Sequence, residues 1–125
     1  MILDTNAVSA LALKDRALIE KLKFIPQLTI PVIVVGEYMY GLKRVRNRSV
    51  LEKWFQDLCN LCDIADINEE TALYYAQARE ELRVQGSPIP ENDIWIAASA
   101  RQLGLSIVSK DKHFDFVSGI TRVIW

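Results

Sequence analysis

Histidine occurs once in this 125-residue sequence and cysteine twice, so few metal sites can be built from nitrogen or sulfur. A zinc site normally needs four such ligands. Cys59 and Cys62 form CNLC, but His113 lies far along the chain. The pair falls where a helical pattern ends and a strand begins. A reactive CxxC sits instead at a helix N-terminus, where the dipole lowers a thiol pKa. Two buried apolar cysteines are the expectation. Also missing is any apolar run near the ~18 residues that span a membrane. The N-terminus has no basic segment and carries Asp4, which argues against a secretory signal. A cytoplasmic protein is expected, and the acceptor Asn47-Arg48-Ser49 then has no consequence. Charge of one sign is lacking too: 15 basic and 16 acidic residues give a net −1, hence no global attraction to nucleic acid.

What is present is apolar content: half of the residues, enough for an ordered core in one domain over residues 1–125. Met1 to Leu3 reads as a strand, followed by helices over TNAVSALALK and DRALIEKLKFI, the second stopped by Pro26. QLTI is a strand, and Pro31 suits the start of a helix running to about Arg44. A helix over about Ser49 to Leu61 precedes the strand CDIADI. Asn68 caps a long helix with Glu69 and Glu70 in its first turn and Gly86 at its close. Ala72, Tyr75, Ala76 and Leu82 mark its expected buried side. After the loop SPIPEN come a helix over DIWIAASARQL, the strand LSIVS and a possible fifth strand in TRVIW. Strands alternating with helices predict an α/β fold: a parallel sheet of four to five strands with helices on both faces. The ligand site of such a sheet lies at the carboxyl ends of its strands.

Acidic residues fall at that edge. Asp4 ends the first strand, and Asp111 follows the fourth in LSIVSKDKHFD. Each has a plainer reading, as a helix cap and as a turn acid. Glu37 sits in PVIVVGEYMYGL, which is apolar nearly all round and is expected to be buried. A carboxylate buried there needs a cation or a proton, unless it emerges through a narrow exposed stripe. Asp93 opens a helix, where acids are favoured anyway, although Glu91 and Asn92 already supply that charge and capping. Brought together, the four acids would repel and raise one another's pKa, and a hard divalent cation removes that penalty. All-oxygen ligands point to Mg²⁺ or Mn²⁺. One such ion lowers the pKa of an attacking water, and a second, ~4 Å away, stabilises the leaving oxygen. Asp115 is a weaker fifth acid, and His113 reads as a turn residue packed in KHFDF, with a general acid as the alternative.

Basic residues cluster once. KRVRNRSVLEK holds Lys43, Arg44, Arg46, Arg48 and Lys53 against Glu52. Such a run is either a solvated helix end or a strip for phosphates.

Four segments resemble the signature of the PIN-domain ribonucleases, in particular the VapC-type toxins of bacterial toxin–antitoxin pairs. LDTN carries Asp4, GEYMYG carries Glu37, NDIWIAASA carries Asp93 and SKDKHFD carries Asp111. Their order and the strand–helix alternation agree along the whole chain. The short first strand departs from the pattern, as do Gly36 and Tyr38 beside Glu37. The resemblance implies Mg²⁺- or Mn²⁺-dependent hydrolysis of RNA phosphodiesters. It also implies a cognate antitoxin that blocks the site, and commonly a homodimer. Asp4, Glu37, Asp93 and Asp111 are then the catalytic, metal-holding acids. Thr5, Asn6, Asn92 and Ser109 orient those acids through hydrogen bonds. Lys43, Arg44, Arg46 and Arg48 become contacts for the substrate backbone.

Two other readings fit parts of the pattern. One is an aspartyl phosphoryl-transfer protein, which also places an Asp at a strand end. Phosphatases of that kind want a second acid where Asn6 stands, and receiver modules want paired acids where Thr5 follows Asp4. The other is a catalytically inactive module of the same fold that only binds RNA or a partner.

Overall fold

The computed structural model describes residues 1–125. Five short parallel strands form one sheet: β1 (Ile2–Leu3), β2 (Thr29–Pro31), β3 (Asp63–Ala65), β4 (Ile107–Val108) and β5 (Arg122–Val123), in the order β3-β2-β1-β4-β5. Six helices flank it: α1 (Thr5–Ala12), α2 (Arg16–Leu22), α3 (Val32–Leu42), α4 (Arg48–Leu61), α5 (Glu69–Gln85) and α6 (Glu91–Leu103). The α/β architecture expected from the alternation is present, and the fifth strand is real.

β1 lies at the centre. Its Ile2 pairs with Thr29 on one side and with Ile107 on the other. Ile2, Leu3, Ile107 and Val108 are fully buried, as strands covered on both faces must be. From β1 the chain builds outward through β2 to β3, then crosses back to place β4 on the opposite side of β1. The strand order therefore reverses between β1 and β4, and the crevice at their carboxyl ends is where such sheets bind ligands. Asp4 and Asp111 follow those two strands.

Several local readings shift. Helix α6 begins at Glu91, two residues before Asp93, with Pro90 at its N-cap. Asn92 and Asp93 therefore project from its first turn. Helix α5 turns inward on Thr71, Ala78 and Leu82, while Ala72 and Ala76 are exposed. Thr71 is polar yet buried because it shares a capping box with Asn68 and hydrogen-bonds Gln102. Helix α3 is not buried all round: Val34, Tyr38 and Leu42 face inward, while Val32, Met39 and Tyr40 are exposed. It packs against β2, α1, α4 and α6, and those three residues lie outside the contacts. A 3-10 turn, Lys112–Phe116, follows β4. The cysteines are free and half-buried, and burial pushes the Cys62 thiol up to about 11, the reverse of a reactive thiol. No helix is long and apolar enough to cross a membrane.

Asp115 receives a structural role. The Arg122 side chain is 9 % exposed and donates to both Asp115 oxygens, at 2.7 and 2.6 Å, and to the Ser109 carbonyl at 3.3 Å. Asp115→Ala is expected to lower the urea midpoint modestly, because the Arg122 guanidinium loses a half-exposed carboxylate partner. RNA cleavage per folded molecule should hold; a loss of cleavage without a loss of stability would contradict the purely structural role.

Candidate active site

Asp4 is buried at the end of β1 with both oxygens engaged. Oδ1 accepts from the Thr5 backbone N–H at 2.7 Å, which caps α1. Oδ2 accepts from Asn6 Nδ2 at 2.5 Å and Ser109 Oγ at 2.7 Å. The cap and a site role thus coexist. Asn6 also donates to Ser109 Oγ and accepts from the Lys110 backbone N–H, so the ends of β1 and β4 are stapled together. Burial raises the Asp4 pKa; the hydrogen bonds from Ser109 and Thr5 oppose it, and Glu37 and Asp111 add repulsion.

Glu37 enters from α3, half-buried. Its oxygens accept from Thr5 Oγ1 at 2.7 Å and from Asn92 Nδ2 at 2.8 Å. These two neutral donors hold the carboxylate in place, and partial exposure to water lowers the cost of its charge. Asp93, on α6, has its pKa pushed up to about 6, by burial first and by Asp111 next, while its hydrogen bond with His113 pulls the other way. Asp111 caps the 3-10 turn by accepting from the His113 backbone N–H at 2.9 Å.

The four acids, Thr5, Asn6 and Asn92 line one open cavity of about 710 Å³, with Ser9 and Tyr40. Ser109 lies buried behind it. Each lining acid comes from a different element or strand end, so the sheet topology assembles them.

The basic strip divides. Arg44 reaches the rim: its guanidinium lies 4.7 Å from the Tyr40 ring centre and donates to the Tyr40 hydroxyl at 2.6 Å. Arg48 pairs with Glu52 at 2.5 Å. Lys43 and Arg48 line a separate groove between α3 and α4. Arg44 reaches back to Tyr40 four residues before it, while Lys43 turns toward α4. Arg46 is exposed and makes no ion pair.

One site residue escaped the sequence reading, and another takes a place there that the sequence left open. Tyr40 lacked any signal separating rim from core. His113 is not merely a turn residue: its Nδ1 lies 3.0 Å from an oxygen of Asp93 and 3.0 Å from one of Asp111. The ligand atoms of these three residues all lie within 4.8 Å of one another. Four carboxylates at one cavity, two of them with raised pKa values, form a donor set that a divalent cation fits.

The sequence matches the PIN domain family over residues 1–120. It is 33 % identical over 104 residues to Ribonuclease VapC2 of Haemophilus influenzae, covering 79 % of this chain and 76 % of that one. It is 30 % identical, with the same coverage, to the tRNA(fMet)-specific endonuclease VapC of Shigella flexneri. The fold superposes with a TM-score of 0.90 on a chain of VapBC2 from Rickettsia felis, solved with a DNA fragment from their promoter. That match is 22 % identical and covers 99 % of this chain and 97 % of that one.

Proposed function

Because the chain belongs to the PIN domain family, we propose that it is a divalent-metal-dependent endoribonuclease that hydrolyses RNA phosphodiester bonds, the toxin of a toxin–antitoxin pair acting in the cytoplasm. The observation that carries this reading is the convergence of Asp4, Glu37, Asp93 and Asp111 on one cavity at the point where the strand order reverses. Residues 1–125 act as one nuclease domain. The four acids hold the cation, Mg²⁺ or Mn²⁺. Bound there, it supplies Lewis acidity that activates water and offsets phosphate charge.

The chain's own groups do the rest. Thr5, Asn6 and Ser109 lock both oxygens of Asp4, so its carboxylate needs no reorganisation when substrate arrives. Thr5 and Asn92 clamp Glu37 from opposite sides. Arg44 over Tyr40 offers a planar cation to a phosphate and a ring face to a base at the rim. Lys43, Arg46 and Arg48 supply backbone charge farther out. The uncovered flank of α3, with Val32 and Met39, is a surface for a protein partner, the antitoxin or a second copy.

The phosphoryl-transfer reading is disfavoured because three donors already occupy the oxygens of Asp4, which would have to attack. The inactive-module reading is disfavoured because all four acids line the cavity. Relatives named for tRNA(fMet) suggest the substrate for the test: total tRNA containing the initiator species. We expect discrete fragments with Mn²⁺, none with EDTA, and none from Asp4→Asn. Equal cleavage by wild type and Asp4→Asn would sink the reading.

A further inference from the structure

We propose that His113 completes a mixed nitrogen–oxygen cation site with Asp93 and Asp111, and that this corner of the cavity favours transition-metal ions over Mg²⁺. The inference rests on the proposed metal-dependent reading and adds a ligand to it.

The geometry is specific. His113 stands in the 3-10 turn that Asp111 caps, and its ring folds back over that cap toward α6. Nδ1 then lies 3.0 Å from Asp93 Oδ2 and 3.0 Å from Asp111 Oδ1. Neighbouring donors around an octahedral ion with bonds of ~2.1 Å stand ~3 Å apart, the spacing of Nδ1 from each carboxylate oxygen, and an ion arriving there takes the place of the proton that Nδ1 shares with them. The ring remains partly exposed and can turn without disturbing the core.

The opposite side of the cavity offers oxygen alone, from Asp4 and Glu37. The two sides therefore differ in softness. Imidazole suits Co²⁺, Ni²⁺ and Zn²⁺, whereas Mg²⁺ prefers carboxylate and water and gains little from a nitrogen. His113 enlarges the preference for these ions beyond what four carboxylates give alone.

Because His113 is the only histidine, an untagged chain gives an unambiguous test. Co²⁺ and Mg²⁺ affinities are measured by calorimetry for wild type and His113→Asn, with Mn²⁺-loaded samples examined by pulsed electron paramagnetic resonance. The wild type is expected to show coupling of Mn²⁺ to an imidazole nitrogen, absent in His113→Asn. Co²⁺ affinity should fall by at least roughly tenfold in the variant, while Mg²⁺ affinity changes much less. A circular-dichroism melt confirms that the variant folds, and His113→Gln gives a second folded background if it does not. Absence of nitrogen coupling, or equal losses for Co²⁺ and Mg²⁺, overturns the proposal and leaves His113 positioning the carboxylates. Failure of wild type to bind any of the three ions overturns the metal reading itself, a separate result.

Discussion

Asp93→Asn is expected to lower RNA cleavage by on the order of 10²–10³-fold while raising the melting temperature of the metal-free protein at pH 8. The two effects share one cause. Burial and the nearby Asp111 carboxylate lift the Asp93 pKa from an ordinary 3.8 to about 6 in the folded state. The folded protein therefore holds this proton more tightly than the unfolded chain. Its stabilising contribution is complete below about pH 4 and is lost as pH rises through about 6. Asparagine has nothing to ionise, so the variant lacks this slope. Melts in EDTA at pH 4, 6 and 8 should converge at pH 4 and separate by pH 8, with the variant higher. Added Mn²⁺ should reverse the order, because an ion that binds only the folded wild type stabilises it by mass action. A wild-type melting temperature that does not vary from pH 4 to 8 would remove the argument for repulsion.

Phe114→Ala carries the largest expected stability loss, about 3–5 kcal/mol in guanidinium unfolding. The ring is 1 % exposed and anchors the 3-10 turn between Asp111 and Phe116 to the core. Asp111 and His113 hang from that turn, so the variant should also lose cleavage under conditions where it remains folded. Phe116 provides the control. It lies two residues on, is 48 % exposed, and on truncation should change stability by no more than about 0.5 kcal/mol. Equal effects from the two phenylalanines would mean that the turn is not anchored as described.

The parts of this molecule legible in the sequence are those set by local chemistry. The strand ends at Asp4 and Asp111 follow from short apolar runs that stop at an acid. Helix α5 is announced by Asn68 and ended by Gly86, whose φ of 72° suits glycine. The parts that were not legible depend on distant neighbours. His113 acquires meaning only when α6 carries Asp93 to within hydrogen-bond reach of the 3-10 turn. Asp115 resembled a fifth site acid until Arg122, on the last strand, claimed both its oxygens. The burial of α3 was overestimated because apolar periodicity reports a tendency to be covered, not what does the covering. Thr71 shows the converse: a polar residue can be buried once its partners are in place.

The staple between Asp4, Asn6 and Ser109 has a consequence for the life of the chain in the cell. Ser109 and Asp111 are made more than a hundred residues after Asp4, and β4 must slot beside β1, already the partner of β2. A ribosome adding about 5–20 residues per second therefore carries an incomplete acidic cluster through most of translation. Every prematurely terminated product that ends before β4 lacks both the last acid and the hydroxyl that orients the first. If the four acids act as proposed, the site is incomplete until the final segment has emerged and folded.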